Sequence, residues 1–128
     1  MLDLETILME LRLQIKRISD PIQRLSSFEN HSDENYTKLL GILNKTYERL
    51  IDFLDSVPDS PLFMSNAPNF IDLLRHDIRA PLSVLISAAT VIDEKYRAQL
   101  NSDQLQAVQR ITQIANDIDN YLNTIVQM

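Results

Sequence analysis

Glycine is almost absent from this 128-residue chain, which has only Gly41. Phosphate-cradling loops of the Walker, Rossmann and kinase types need several glycines to bring backbone against a phosphate, so none of them is encoded. Cysteine is missing altogether, which excludes disulfides, thiolate metal sites and cysteine nucleophiles. Histidine occurs twice, as His31 and His76, too rarely for a His-rich metal site. Positive charge is in deficit: Lys plus Arg is 12, Asp plus Glu is 18, and the formal net charge is -6. A nucleic-acid binder normally shows a basic face, so no nucleic-acid partner is expected. Apolar runs are only a few residues long, so no membrane partner is expected either. The opening MLDLETILME carries acids where a secretory signal carries basic residues. The expectation is one cytoplasmic domain with one core.

Apolar residues at 3-4 spacing are what the chain does have. Leu4, Leu8, Leu11, Ile15, Ile18, Ile22 and Leu25 form the first stripe, and Tyr36, Leu40, Leu43, Tyr47, Leu50, Leu54 and Val57 the second. Ile71, Leu74, Ile78, Pro81, Leu85, Ala88 and Ile92 lie in a third, and Val108, Ile111, Ala115, Ile118, Leu122 and Ile125 in a fourth. Each stripe is one face of an amphipathic helix. The spacing predicts helices near 3–27, 33–57, 68–95 and 102–127. The fold class expected is all-α, an antiparallel four-helix bundle made of two helical hairpins.

The punctuation fits that reading. Ser32 before Asp33 and Glu34 is a candidate N-cap, and Asn66 or Asn69 could cap the third helix. Asn101 followed by Gln104 resembles a capping box. The segment 58–68, with three prolines, reads as a linker on which Leu62, Phe63 and Met64 supply apolar anchors. It divides a single bundle, 1–128, into an N-terminal hairpin, 1–57, and a C-terminal hairpin, 69–128. The N-terminal hairpin is a candidate degenerate repeat. Ile18-Ser-Asp-Pro21-Ile22 matches Ile78-Arg-Ala-Pro81-Leu82 at an offset of 60, with Lys16 opposite His76. The shared interior proline is the unusual feature, because such a residue costs roughly 3 kcal/mol in a helix.

The chemistry sits in His76-Asp77-Ile78-Arg79-Ala80-Pro81-Leu82. With Ile78 and Leu74 facing the core, His76 falls on the outer face of its helix. An imidazole there is open to a phosphoryl group, and near neutral pH an ordinary imidazole is largely neutral, hence nucleophilic. Asp77 could orient the ring or take its proton, and Arg79 could bring positive charge to a phosphate. Pro81 frees a carbonyl one turn back, near Asp77. His31 lies in a polar stretch before a helix and is given no role. Asp103, Asp117 and Asp119 read as a solvated face of the fourth helix, with no ligand spacing for a metal.

This segment resembles the H-box of sensor histidine kinases, the phospho-accepting helix of their dimerisation and histidine-phosphotransfer domain. All seven positions fit the pattern His, acid, aliphatic, Arg, small, Pro, Leu, and the resemblance covers roughly residues 67 to 127. It implies His76 as the phosphorylated residue, Asp77 as the adjacent assisting acid, Arg79, Pro81 and Leu82 as H-box support, and a regulator-docking surface at Ser83, Ile86, Ser87 and Thr90. Two departures matter. The kinases continue into an ATP-binding domain with Gly-rich boxes, and nothing here can bind ATP that way, so no self-phosphorylation is expected. Family members that also dephosphorylate their regulator usually carry Thr or Asn four residues after the His, where this chain has Ala80. The reading is a histidine-phosphotransfer domain of a two-component phosphorelay, standing alone as a monomer or homodimer. It would exchange a phosphoryl group with a response regulator and/or histidine kinase and hold no cofactor itself, with Mg²⁺ on the regulator. The alternative is a non-catalytic binder that sequesters a regulator or pairs with kinase dimerisation helices. A plain structural bundle is a third reading.

Overall fold

The computed structural model describes residues 3–26, 34–59 and 69–126, and every regular element in them is helical. The elements are α1 (Leu4–Lys16), α2 (Ser19–Ser26), α3 (Glu34–Ser56), α4 (Phe70–Tyr96) and α5 (Ser102–Val126). Short 3-10 turns, Val57–Asp59 and Arg97–Gln99, follow α3 and α4. No strand occurs among the described residues, and the all-α expectation holds.

The first stripe departs from the expectation of one helix over 3–27, because the chain breaks at Arg17 and Ile18. Pro21 is the cause. It has no N–H for the carbonyl four residues back, that of Arg17, and its ring crowds the same carbonyl. The chain tightens instead: the Arg17 N–H donates to the Gln14 carbonyl at 3.2 Å and the Ile18 N–H to the Ile15 carbonyl at 3.0 Å. The helix resumes with the Ile22 N–H on the Ile18 carbonyl at 3.3 Å. Leu8, Leu11, Ile15, Ile18, Ile22 and Leu25 still form one buried stripe across the break. Pro81 stands in the same relation to Asp77, yet α4 runs through it unbroken.

Helix ends are capped from the sequence. The Asn101 side chain accepts from the Gln104 N–H at 2.8 Å while the Gln104 side chain accepts from the Asn101 N–H at 2.9 Å, the reciprocal box expected there. Asp3 caps α1, its carboxylate accepting from the Thr6 N–H at 2.7 Å. Asn69 occupies the N-cap place of α4 but makes no side-chain cap bond. Ser32, Asn66, Leu62, Phe63, Met64 and His31 lie outside the described residues.

The helices close into a four-membered ring. The α1–α2 stretch packs on α3 and α5, α3 on α4, and α4 most extensively on α5. Neighbours run antiparallel: Arg12 near the start of the chain pairs with Asp55 at the end of α3, 2.9 Å apart. At the opposite end the Tyr36 hydroxyl donates to the Leu25 carbonyl at 3.3 Å, and the Tyr36 and Tyr96 rings meet edge to face, centroids 5.2 Å apart. Leu11, Leu43, Leu85, Ile111 and Ile118 meet in the interior without solvent contact. Burial of each contributes roughly 1.5–3 kcal/mol relative to exposure.

Candidate functional site

Two buried side chains set the rotation of α4 around its axis. Leu74 and Ile78 point into the core, so His76, midway between them, points out and its side chain is 88% exposed. Asp77 Oδ1 lies 3.5 Å from His76 Nδ1. A carboxylate only accepts, so the tautomer that makes this contact carries its proton on Nδ1 and leaves the Nε2 lone pair free. The contact is at the long limit of a hydrogen bond, and it biases the ring rather than locking it.

Arg79 is drawn away from the place expected for it. Its Nε lies 3.6 Å from Asp119 Oδ1 on α5. Asp119 was expected on a solvated acidic face with Asp103 and Asp117, and the structure corrects this. Its side chain is 28% exposed, and its Oδ1 is buried without a hydrogen-bond partner. The reason is its register: Asp119 directly follows the buried Ile118, on the flank of α5 that faces α4. Asp103 and Asp117 are exposed.

The rest of the motif divides by face. Leu82 is buried and Pro81 half-buried. Helical spacing puts His76, Ala80, Ser83, Ser87 and Thr90 along one ridge, and all five are exposed. Ile86, the fourth residue named for the docking surface, is half-buried and packs against the core. Its carbonyl accepts from the Thr90 hydroxyl at 2.7 Å.

Beside the ridge, α3 supplies residues that the motif gave no reason to name. A hollow of about 390 Å³ between α3 and α4 is lined by Thr46, Arg49 and Phe53 of α3 and by Asp77, Ala80 and Val84 of α4. A second groove, about 340 Å³, continues along the same seam between Leu39 and Ile42 of α3 and Ser83, Val84, Ser87 and Val91 of α4. The available signal was apolar residues of α3 off its buried stripe, Leu39, Ile42 and Phe53, of which Ile42 is 41% exposed. Among the described residues no three His, Cys, Asp or Glu side chains gather in a way that could hold a metal ion. No described helix is long and apolar enough to cross a membrane.

Residues 69–128, just under half of the chain, match the family model of the His Kinase A (phospho-acceptor) domain. The C-terminal hairpin therefore carries the resemblance that the H-box motif suggested. Domains of that family act in histidine-kinase dimers and in two-component signalling. No curated protein and no solved structure matches the chain.

Proposed function

We propose that this protein is a histidine-phosphotransfer domain of a two-component phosphorelay, passing a phosphoryl group through His76 to or from a response-regulator aspartate. The observation that carries the reading is the outward His76 imidazole with Asp77 beside its Nδ1, inside the segment that matches the phospho-acceptor family. In the loading step Nε2 attacks the phosphorus of an aspartyl phosphate. The N–P bond forms, the P–O bond breaks, and its electron pair leaves on the regulator's carboxylate. The Nδ1 proton stays on the ring, and Asp77 offsets the positive charge that the imidazole then carries. The return step runs the same bonds backwards. The regulator would supply a divalent cation such as Mg²⁺, whose charge would offset that of the phosphoryl oxygens.

The exposed ridge at Ser83, Ser87 and Thr90 supports docking of the regulator next to His76, and the groove with Ile42 and Val84 extends that surface with apolar area. The test uses a phosphorylated regulator or a small phosphodonor with wild type, His76→Gln and His31→Gln. The expected label is acid-labile and base-stable, as a phosphoramidate is. It is present in wild type and His31→Gln and lost in His76→Gln. Label retained in His76→Gln removes the proposal. A wild type that binds a regulator but takes no label leaves the binder reading instead.

A further inference from the structure

The two cations of α4 that flank His76 in sequence, Arg75 and Arg79, both lie on the side of the helix away from α3. Arg79 is engaged by Asp119, and Arg75, one turn before it on α4, lies on the same flank toward α5. The flank toward α3 carries Asp77 instead, a negative charge. A phosphoryl group on His76 brings further negative charge to this corner, and no α4 cation lines the hollow on the α3 flank to balance it there.

The hollow between α3 and α4 holds what is missing. Arg49 of α3 lines it opposite Asp77 and Ala80 and makes no ion pair among the described residues. Thr46, one turn before Arg49, also lines it. Thr46 is 6% exposed and its hydroxyl makes no hydrogen bond among the described residues. The hollow thus presents two donors from α3 without partners. It reaches the histidine through two residues: Asp77, whose Oδ1 is 3.5 Å from His76 Nδ1, and Ala80, one turn past the His on its ridge. Ala80 has only a methyl group, so the space between the ridge and the hollow is left open for a long side chain from α3. A guanidinium is suited to this task, because its planar donors pair two at a time with phosphate oxygens.

We propose that the α3–α4 hollow is a phosphoryl-binding site in which Arg49 meets the phosphate carried by His76, with Thr46 as a second donor on the hollow's floor. The inference rests on the phosphotransfer reading. It assigns part of the site to the N-terminal hairpin, outside residues 69–128 that match the phospho-acceptor family.

The experiment loads the full chain with phosphoramidate and compares wild type, Arg49→Gln, Arg49→Lys and Lys16→Gln. Lys16 is an exposed cation at the end of α1 and controls for net charge. Two quantities are read: the loading rate at His76, and the pH at which the phosphorus resonance of the loaded protein titrates. Arg49→Gln is expected to slow loading about tenfold or more and to raise the titration midpoint, because a nearby cation favours the dianion. Arg49→Lys restores part of both, and Lys16→Gln changes neither. Circular dichroism of each variant confirms an intact bundle. If wild type loads and Arg49→Gln matches it in rate and midpoint, this proposal is overturned and the phosphotransfer reading stands. If wild type takes no phosphate on His76, both fall.

Discussion

Arg79 and Asp119 face each other across the α4–α5 seam with Nε 3.6 Å from Oδ1, and the two ends of this pair are not equally solvated. Arg79 is 54% exposed and Asp119 28%, with one carboxylate oxygen buried. The pair ties the third turn of α4 to its hairpin partner α5.

That asymmetry gives the first prediction. Arg79→Ala leaves a buried carboxylate oxygen without its counter-charge and is expected to cost about 1–2 kcal/mol. Asp119→Asn leaves an arginine that can turn to water, and is expected to cost less than about 1 kcal/mol. Urea unfolding of the two variants measures the order. A larger loss in Asp119→Asn would show that the guanidinium, not the carboxylate, is the end that depends on the pair.

The two interior prolines give the second. In α4 an alanine at position 81 regains an N–H for the Asp77 carbonyl, in a helix that is already continuous. Pro81→Ala is therefore expected to stabilise by about 1–2 kcal/mol, the helix gain less some ring packing. Pro21 is buried and sits after a break that the Arg17 and Ile18 turn bonds have already satisfied. Pro21→Ala is expected to bring no gain. Thermal melts of both variants at one pH decide this, and equal gains would mean that the break at Arg17 heals once the proline is replaced and that its turn bonds had not made up for the lost helix.

The same contrast shows how far the sequence was legible. The four stripes, the outward His76 and the Asn101–Gln104 box follow from spacing along one chain segment, and spacing is what a sequence displays directly. Pro21 and Pro81 look alike in sequence, but whether a helix breaks before a proline depends on packing that no local pattern encodes. Arg79 illustrates the site. Its place in the motif suggested a partner phosphate, while its ion-pair partner is forty residues away in the chain, on a flank of α5 that only the bundle brings alongside. Arg49 and Thr46 were invisible for the same reason, since nothing in the second stripe announces which residues of α3 stand beside Asp77.

The third prediction concerns alkaline pH. Burial raises the pKa of Tyr36 above its ordinary 10.0. The folded state therefore holds this proton after the unfolded chain has lost it. The contribution is fully present below pH 10.0 and is lost as pH rises from there through the folded value. Tyr121 adds to the same trend, raised by burial and then by the charge of Glu10. Stability is expected to fall with rising pH in that window, and less steeply in Tyr36→Phe. Unfolding curves across the window, with tyrosinate absorbance as the titration readout, provide the check. A slope unchanged by Tyr36→Phe would assign the loss to other groups.

The last prediction follows from the methyl group at Ala80. In the kinases that this motif resembles, a hydroxyl or amide at this position holds a water in line with the regulator's phospho-aspartate. Ala80 is exposed on the same ridge as His76, but its side chain neither donates nor accepts. Water there is left to diffuse, and the loss of one such positioning contact costs on the order of a hundredfold in rate. The protein is therefore expected to exchange phosphate with its regulator without accelerating hydrolysis of the aspartyl phosphate. Ala80→Asn or Ala80→Thr adds the missing group at an exposed position and is expected to raise the hydrolysis rate. Release of inorganic phosphate from a phosphorylated regulator, with and without each variant, measures it. Strong acceleration by the unmodified protein would place the water-holding donor elsewhere, and the unpartnered side chains across the hollow, Thr46 and Arg49, are then the residues to substitute.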